Sequence, residues 1–210
     1  MLHPHSGSIQ QYIDQIDDPD RGRPSSCPQC PAKEPLRAHG FYSRTIVDQA
    51  FDGLICIRRY LCLVCLRTVS LLPEWALPYM RFSIPVIANV VKARLIENRR
   101  WKVAAPEAPY QRGQQWVRRF RKQAEALSVA MAALTAAPAA PSFVSKALGM
   151  LAKTGWTAAH RFLLSDLRMH LLGWGRSLAP RGLRNTLDAA SIKRRTFPQT
   201  TCMASVNPSD

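Results

Sequence analysis

Cys27-Pro-Gln-Cys30 and Cys62-Leu-Val-Cys65 frame a stretch that reads Phe41-Tyr-Ser-Arg-Thr-Ile-Val47 and then Leu54-Ile-Cys-Ile-Arg-Arg-Tyr-Leu61. Two cysteines separated by two residues hold both sulfurs on one side of a tight turn, and a second such pair completes a tetrahedral four-sulfur site. The framed runs are rich in β-branched and aromatic residues, with the turn dipeptide Asp52-Gly53 between them. They predict a hairpin over 41–61, and Thr68-Val-Ser-Leu-Leu72 predicts a third short strand. Thirty-one residues separate Cys30 from Cys62, more than the roughly 15–20 of the short zinc pattern. A hairpin absorbs the excess. Pro31 and Leu66 follow the two turns where glycine often relaxes the backbone.

The expected ligands are therefore Cys27, Cys30, Cys62 and Cys65, and the expected ion is a structural Zn²⁺. Iron in the same four thiolates is the competing reading. With no carboxylate placed to activate water, such a site supplies folding free energy rather than chemistry. Cys56 is expected to pack in the hairpin, Cys202 lies near the C-terminus, and His39 beside Gly40 reads as a turn residue.

Composition narrows the function classes. The 210 residues are 47% hydrophobic, enough to bury a core, and carry a net charge of +15 with a pI near 10.3. Such an excess of Lys and Arg attracts polyanions, nucleic acid first and a membrane surface second. No apolar run reaches the roughly 20 residues of a membrane-spanning helix, since Lys153, His160, Arg161, Asp166 and Arg168 break up the most apolar region. The opening Met-Leu-His-Pro-His-Ser-Gly lacks the pattern of a secretory signal, so a cytoplasmic, nucleoid-associated protein with reduced thiols is expected.

The basic charge is concentrated. Between Lys92 and Lys122 ten Lys or Arg face two Glu, at 97 and 107. Ser83 can cap a helix running to about 98, with Pro85 in its first turn and Ile84, Ile87, Ala88, Val91 and Leu95 on one face. A short helix follows at 101–105, stopped by Pro106 and Pro109, and a third runs from 111 to 134. Three helices with a turn before the last fit a helix-turn-helix, whose final helix enters the major groove by its N-terminal end. In that fit Gln111, Arg112, Gln114 and Gln115 reach base edges, while Arg118, Arg119, Arg121 and Lys122 hold phosphates. Trp116 and Phe120 are expected in the core. Val117, Phe120, Ala124, Leu127, Met131 and Leu134 form an a/d seam that pairs two protomers or packs on the chain's own later helices.

Chain organisation follows. We expect an α+β protein in which a small N-terminal β zinc ribbon precedes a mostly α-helical region containing the helix-turn-helix. The segments are a loose arm at 1–24, the ribbon at 25–79 and the helix-turn-helix with its long third helix at 80–135. An Ala/Pro linker at 136–141, a helical region at 142–190 with helices at 142–153 and 156–174, and a loose tail at 191–210 complete the chain.

The run from Cys27 to Tyr79 resembles a family of uncharacterised bacterial zinc-ribbon plus helix-turn-helix proteins associated with transposons and insertion sequences. The residues that carry the resemblance are the two cysteine pairs, His39-Gly-Phe-Tyr-Ser-Arg44, Ile57-Arg-Arg-Tyr60, Arg67-Thr-Val-Ser-Leu-Leu-Pro73 and Pro78-Tyr79. Trp116-Val-Arg-Arg-Phe120 looks like the end of such proteins' recognition helix. The resemblance implies binding to double-stranded DNA linked to transposition, in a regulatory or accessory role. A homodimer or a transposase is the partner that the C-terminal helices could take, unless they simply complete the core. Catalysis is not expected: Glu125, Asp166, Asp188 and Asp210 are scattered over helices and tail, without a strand framework to converge them on two metal ions. Two other readings stay open. One is a protein-interaction adaptor with a zinc ribbon and no DNA role, and the other is an iron-thiolate electron carrier.

Overall fold

The hairpin between the cysteine pairs is present in the computed structural model, which describes residues 1–3, 7–14, 22–104, 106 and 108–173. In chain order the N-terminal half contains β1 (Leu2–His3), α1 (Ile9–Asp14), β2 (Arg37–Asp48), β3 (Phe51–Leu61), β4 (Thr68–Ser70) and β5 (Leu72–Pro73). The helices that follow are α2 (Ile84–Leu95), α3 (Trp101–Ala104), α4 (Tyr110–Met131), α5 (Phe143–Thr154) and α6 (Trp156–Ser165). The protein is thus α+β, an N-terminal antiparallel sheet followed by helices.

Strands β2, β3 and β4 form an antiparallel sheet in that order. The hairpin turns at Gln49-Ala50, since Asp48 pairs with Phe51, and not at Asp52-Gly53. Those two residues belong to β3, opposite Val47 and Ile46. The register explains the shift. It sets Ile46, Ile55 and Ile57 on one face, where all three are buried with Trp75, whereas a one-residue slip would turn them to solvent. The Phe51 ring also lies over Gly53, where a Cβ would come within 2.9 Å of it. Near the other end of β2 a bulge interrupts pairing between Ala38 and Phe41, and Gly40 takes φ +85 there.

The first fourteen residues do more than the loose arm expected of them. Strand β1 pairs in parallel with β5, and Ile9 and Tyr12 of α1 are buried against the sheet. Tyr12 meets Trp75 edge-on at 5.8 Å and donates its hydroxyl to the Cys56 carbonyl at 2.9 Å.

Ser83 caps α2 as its position implies: its Oγ accepts from the Val86 N–H, and its hydroxyl donates to the Asp48 carboxylate of β2. Arg44 of β2 reaches the same junction and donates to the carbonyls of Leu77 and Met80. Helix α4 ends at Met131, three residues short of the expected 134. Gly155 at φ +87 ends α5 and begins α6. Helix α6 stops at Ser165 instead of 174 because the chain folds back, with the Met169 N–H on the Leu163 carbonyl at 2.7 Å. That return buries Leu171 and Leu172.

One apolar cluster joins α2, α4, α5 and α6. Helices on both sides of the Ala/Pro stretch at 136–141 contribute to it, and Pro138 lies against Gly149 of α5. The stretch is a connection across a shared core. Trp116 and Phe120 are buried in that core as expected, against Phe82 at 5.0 Å and Trp156 at 5.8 Å. Phe120, Ala124, Leu127 and Met131 of the a/d seam are buried in it too, so the chain's own helices occupy most of the seam, while Val117 is buried beside it at the floor of the groove next to Trp101. Only Leu134 of that series remains exposed. The expected tail at 191–210 and the helical reading of 174–190 lie outside the described residues.

Candidate metal centre and basic helix face

The two cysteine turns meet at the far end of the sheet from the hairpin turn. Each is closed by a backbone bond, from the Cys27 N–H to the Ala32 carbonyl at 3.2 Å and from the Cys62 N–H to the Arg67 carbonyl at 3.0 Å. The Gln29 N–H also points at the Cys27 Sγ, 3.4 Å away. Pro31 is tolerated after the first turn. After the second, Leu66 adopts φ +54, the left-handed region that a β-carbon disfavours.

This closure brings four sulfurs together. Cys27 and Cys65 are 3.7 Å apart, Cys30 and Cys62 are 3.6 Å apart, and all four lie within 4.8 Å of one another. A tetrahedral zinc with bonds of about 2.3 Å spaces its sulfurs roughly 3.8 Å apart. The donor set is therefore compatible with a four-thiolate ion. Among the described residues no other group of His, Cys, Asp or Glu forms such a cluster. His39 is an exposed residue of β2 and Cys56 lies within β3, both outside the group. Cys202 lies outside the described residues.

The electrostatics favour a cation. Backbone amides of Cys65 and Val64, helped by the neighbouring thiols of Cys30 and Cys65, bring the Cys62 thiol down to about 7. Cys30 responds in the opposite sense: the Ala32 amide favours its thiolate, yet burial and three adjacent sulfurs push it up to about 12. The first thiolate forms easily and later ones resist, which a divalent ion at the centre reverses. A small apolar core of Leu36, Tyr60, Val69 and Leu71 backs the buried Cys27 and Cys62.

The predicted DNA contacts all fall in the first thirteen residues of α4, but they do not share one face. Gln111, Gln114, Gln115, Arg118, Arg121 and Lys122 stand opposite the buried Gly113, Trp116, Val117 and Phe120, as a step of about 100° per residue requires. Five of these six line a groove together with Arg112 and Trp101. Arg112 is exposed on the flank. Arg119 differs: it is half-buried and faces inward, where its charge helps hold His170 below the ordinary histidine value. Helix α4 carries no Asp or Glu before Glu125. None of Arg112, Arg118, Arg121 and Lys122 forms an ion pair with a described residue.

Sequence reasoning passed over the aromatic corner that supports this face. Trp101 of α3 lies on Gly113 of α4, where an added Cβ would come within 3.1 Å of the ring. The Arg94 guanidinium stacks over the same ring at 4.5 Å, and Tyr110 meets it edge-on at 5.5 Å. The signal was available in the sequence as a glycine inside a helix facing an isolated tryptophan.

His160 and His170 are both buried. Burial first, and then the charge of the other histidine, lowers His160 to about 3. Burial also lowers His170, to about 4, against the opposing pull of its hydrogen bond to the Pro78 carbonyl. The Leu172 N–H donates to His170 Nδ1 at 3.1 Å, so the ring proton sits on Nε2. Both rings are neutral packing elements.

Among the described residues no helix is long and apolar enough to cross a membrane. Residues 27–108 match a protein-family profile described as a domain of unknown function, DUF6431; the matched segment holds all four clustered cysteines and ends just ahead of α4. No curated protein and no solved structure matches the chain.

Proposed function

We propose that the protein binds double-stranded DNA through α4, with Zn²⁺ in the four-cysteine site as a structural staple, and serves a mobile genetic element as a regulatory or accessory factor. The observation that carries this reading is the exposed face of α4, basic and free of acids over its first four turns, lining a groove with Trp101. A one-signed surface of this kind gains from counterion release on a polyanion. The fold order supports a zinc ribbon followed by a helix-turn-helix, with α4 as the recognition helix. The mobile-element role rests on the resemblance of residues 27–79 to ribbon-bearing transposition proteins. The reading is of a binder and not a catalyst, since Glu125 and Asp166 are exposed and belong to different elements.

Elemental analysis and a salt titration of binding to random-sequence duplex test both parts together. One zinc per chain is expected, with affinity falling steeply as salt rises. Arg118→Ala combined with Arg121→Ala should lower the slope of log affinity against log salt by about 2, at roughly 0.9 per phosphate contact. Unchanged duplex binding in that double variant would defeat the proposed docking.

A second reading has one observation of its own. Leu63, Val64 and Leu66, 57%, 62% and 73% exposed, display an apolar tip on the second cysteine turn, as an adaptor's docking surface would. Zinc without DNA affinity would favour it.

A further inference from the structure

We infer that Gln114 is the base-reading residue of α4, selecting an A·T pair, and that Tyr110 is the positioning residue that holds it ready; the inference rests on the DNA-binding reading above. The Gln114 Nε2 donates to the Tyr110 hydroxyl at 2.6 Å, one helical turn apart. Tyr110 is itself braced, edge-on against Trp101 at 5.5 Å. Trp101 is fixed in turn between the Arg94 guanidinium at 4.5 Å and the bare backbone of Gly113. This chain of contacts runs from α2 through α3 into the first turns of α4.

Its consequence lies in the hydrogen-bonding capacity that remains. A glutamine amide has two N–H donors and a carbonyl acceptor. One N–H is engaged by Tyr110; with the N–H trans to the carbonyl oxygen in that role, one donor and one acceptor are left side by side, the pattern that matches N7 and N6 of adenine in the major groove. A free glutamine loses rotamer entropy when it docks, whereas a braced one has already lost it. Gln111 and Gln115 have no such brace among the described hydrogen bonds. Arg118 follows one turn beyond Gln114, placed for a phosphate.

The test is site selection from a random duplex library with the full-length zinc-loaded protein, beside Gln114→Ala and Tyr110→Phe, each also titrated on random-sequence duplex. The parent is expected to select adenine at a defined position. Gln114→Ala should erase that preference, weakening the selected site by roughly 5- to 150-fold, more than it weakens random-sequence duplex. Tyr110→Phe keeps the ring on Trp101, so melting temperature and zinc content should match the parent while the preference relaxes part of the way. A parent that binds duplex without preference, or a Gln114→Ala protein selecting the parent's sequence, overturns the inference and leaves DNA binding intact. Full preference in Tyr110→Phe removes the positioning role. A parent with no salt-dependent duplex binding overturns the function and this inference together.

Discussion

The sulfur end of the sheet and the helical core are stabilised by opposite means. Around the cysteines only Leu36, Tyr60, Val69 and Leu71 are buried with the ligands, while a single apolar cluster runs through four helices from Val47 to Leu172. Little apolar area can be hidden at the sulfur end to offset the entropy of ordering the loops at 24–36 and 61–67, and on the proposed reading a bound ion supplies the difference. The helical core needs none. The hairpin belongs to both regimes, since its turn end is packed by Ile46, Ile55, Ile57, Tyr12 and Trp75.

The largest effect that separates the two ends is metal removal. A structural zinc contributes on the order of 10 kcal/mol of apparent binding free energy. Chelation should therefore abolish amide-exchange protection around residues 27–36 and 60–70 while α2, α4 and α5 keep theirs. Simultaneous loss of protection in the helices would show that the contrast is false. Cys62→Ser should reproduce the chelated state without chelator.

Next in size is Phe120→Ala, which empties the centre of the helical core and should cost about 3–5 kcal/mol in urea unfolding. Zinc stoichiometry should remain unchanged. A loss of metal in this variant would mean that the helices hold the cysteine turns together.

Acid should find the helical core through its histidines. In the folded chain His160 is lowered to about 3 and His170 to about 4, from an ordinary value of 6.5. The stability tied to keeping both rings neutral is fully present above about pH 6.5 and is lost as pH falls from there through those folded values, because only the unfolded chain takes up the protons. The loss approaches about 1.4 kcal/mol per pH unit for each ring. His160→Leu should flatten the slope of urea stability between pH 6 and 4.5 by one proton, an effect independent of acid release of the metal. An unchanged slope would place His160 in contact with water.

The smallest effect belongs to the sulfur end. Leu66 at φ +54 carries a strain that glycine lacks, so Leu66→Gly should stabilise the second turn by about 1 kcal/mol. Competition with a calibrated chelator would register this as slightly tighter zinc retention. Weaker retention would mean that the exposed leucine packs on a partner in solution.

These contrasts also govern what could be read from the chain. The clustering of the four cysteines was legible because a Cys-x-x-Cys pair constrains its own geometry, and Ser83 and Gly155 because caps and stops are local. Asp52-Gly53 misled because a turn dipeptide competes with register, and register is decided by where Ile46, Ile55 and Ile57 must go. The first fourteen residues misled for a related reason: Ile9 and Tyr12 are an apolar pair too sparse to signal a core until Trp75 is beside them. Arg119 read as one more phosphate contact, since charge alone does not say which side of a helix the protein interior occupies. Tyr110 and Gln114 stand four apart, so their contact was accessible to helical spacing, but its significance depends on Trp101 and Gly113, which only the packing of α3 on α4 brings together.

The Ser83 hydroxyl links the sheet to the helices: it accepts from α2 and donates to Asp48 of β2, with Arg44 clasping the carbonyls of Leu77 and Met80 alongside. A cut between residues 79 and 80 would thus strip α2 of its Asp48 anchor and part Arg44 from the Met80 carbonyl. Recombination that exchanged the helical half would have to carry a matching serine and one carbonyl at the join, in the places of Ser83 and Met80, since the Leu77 carbonyl stays with Arg44. As a heritable unit, the N-terminal sheet extends at least to Ser83, which caps the helix that follows.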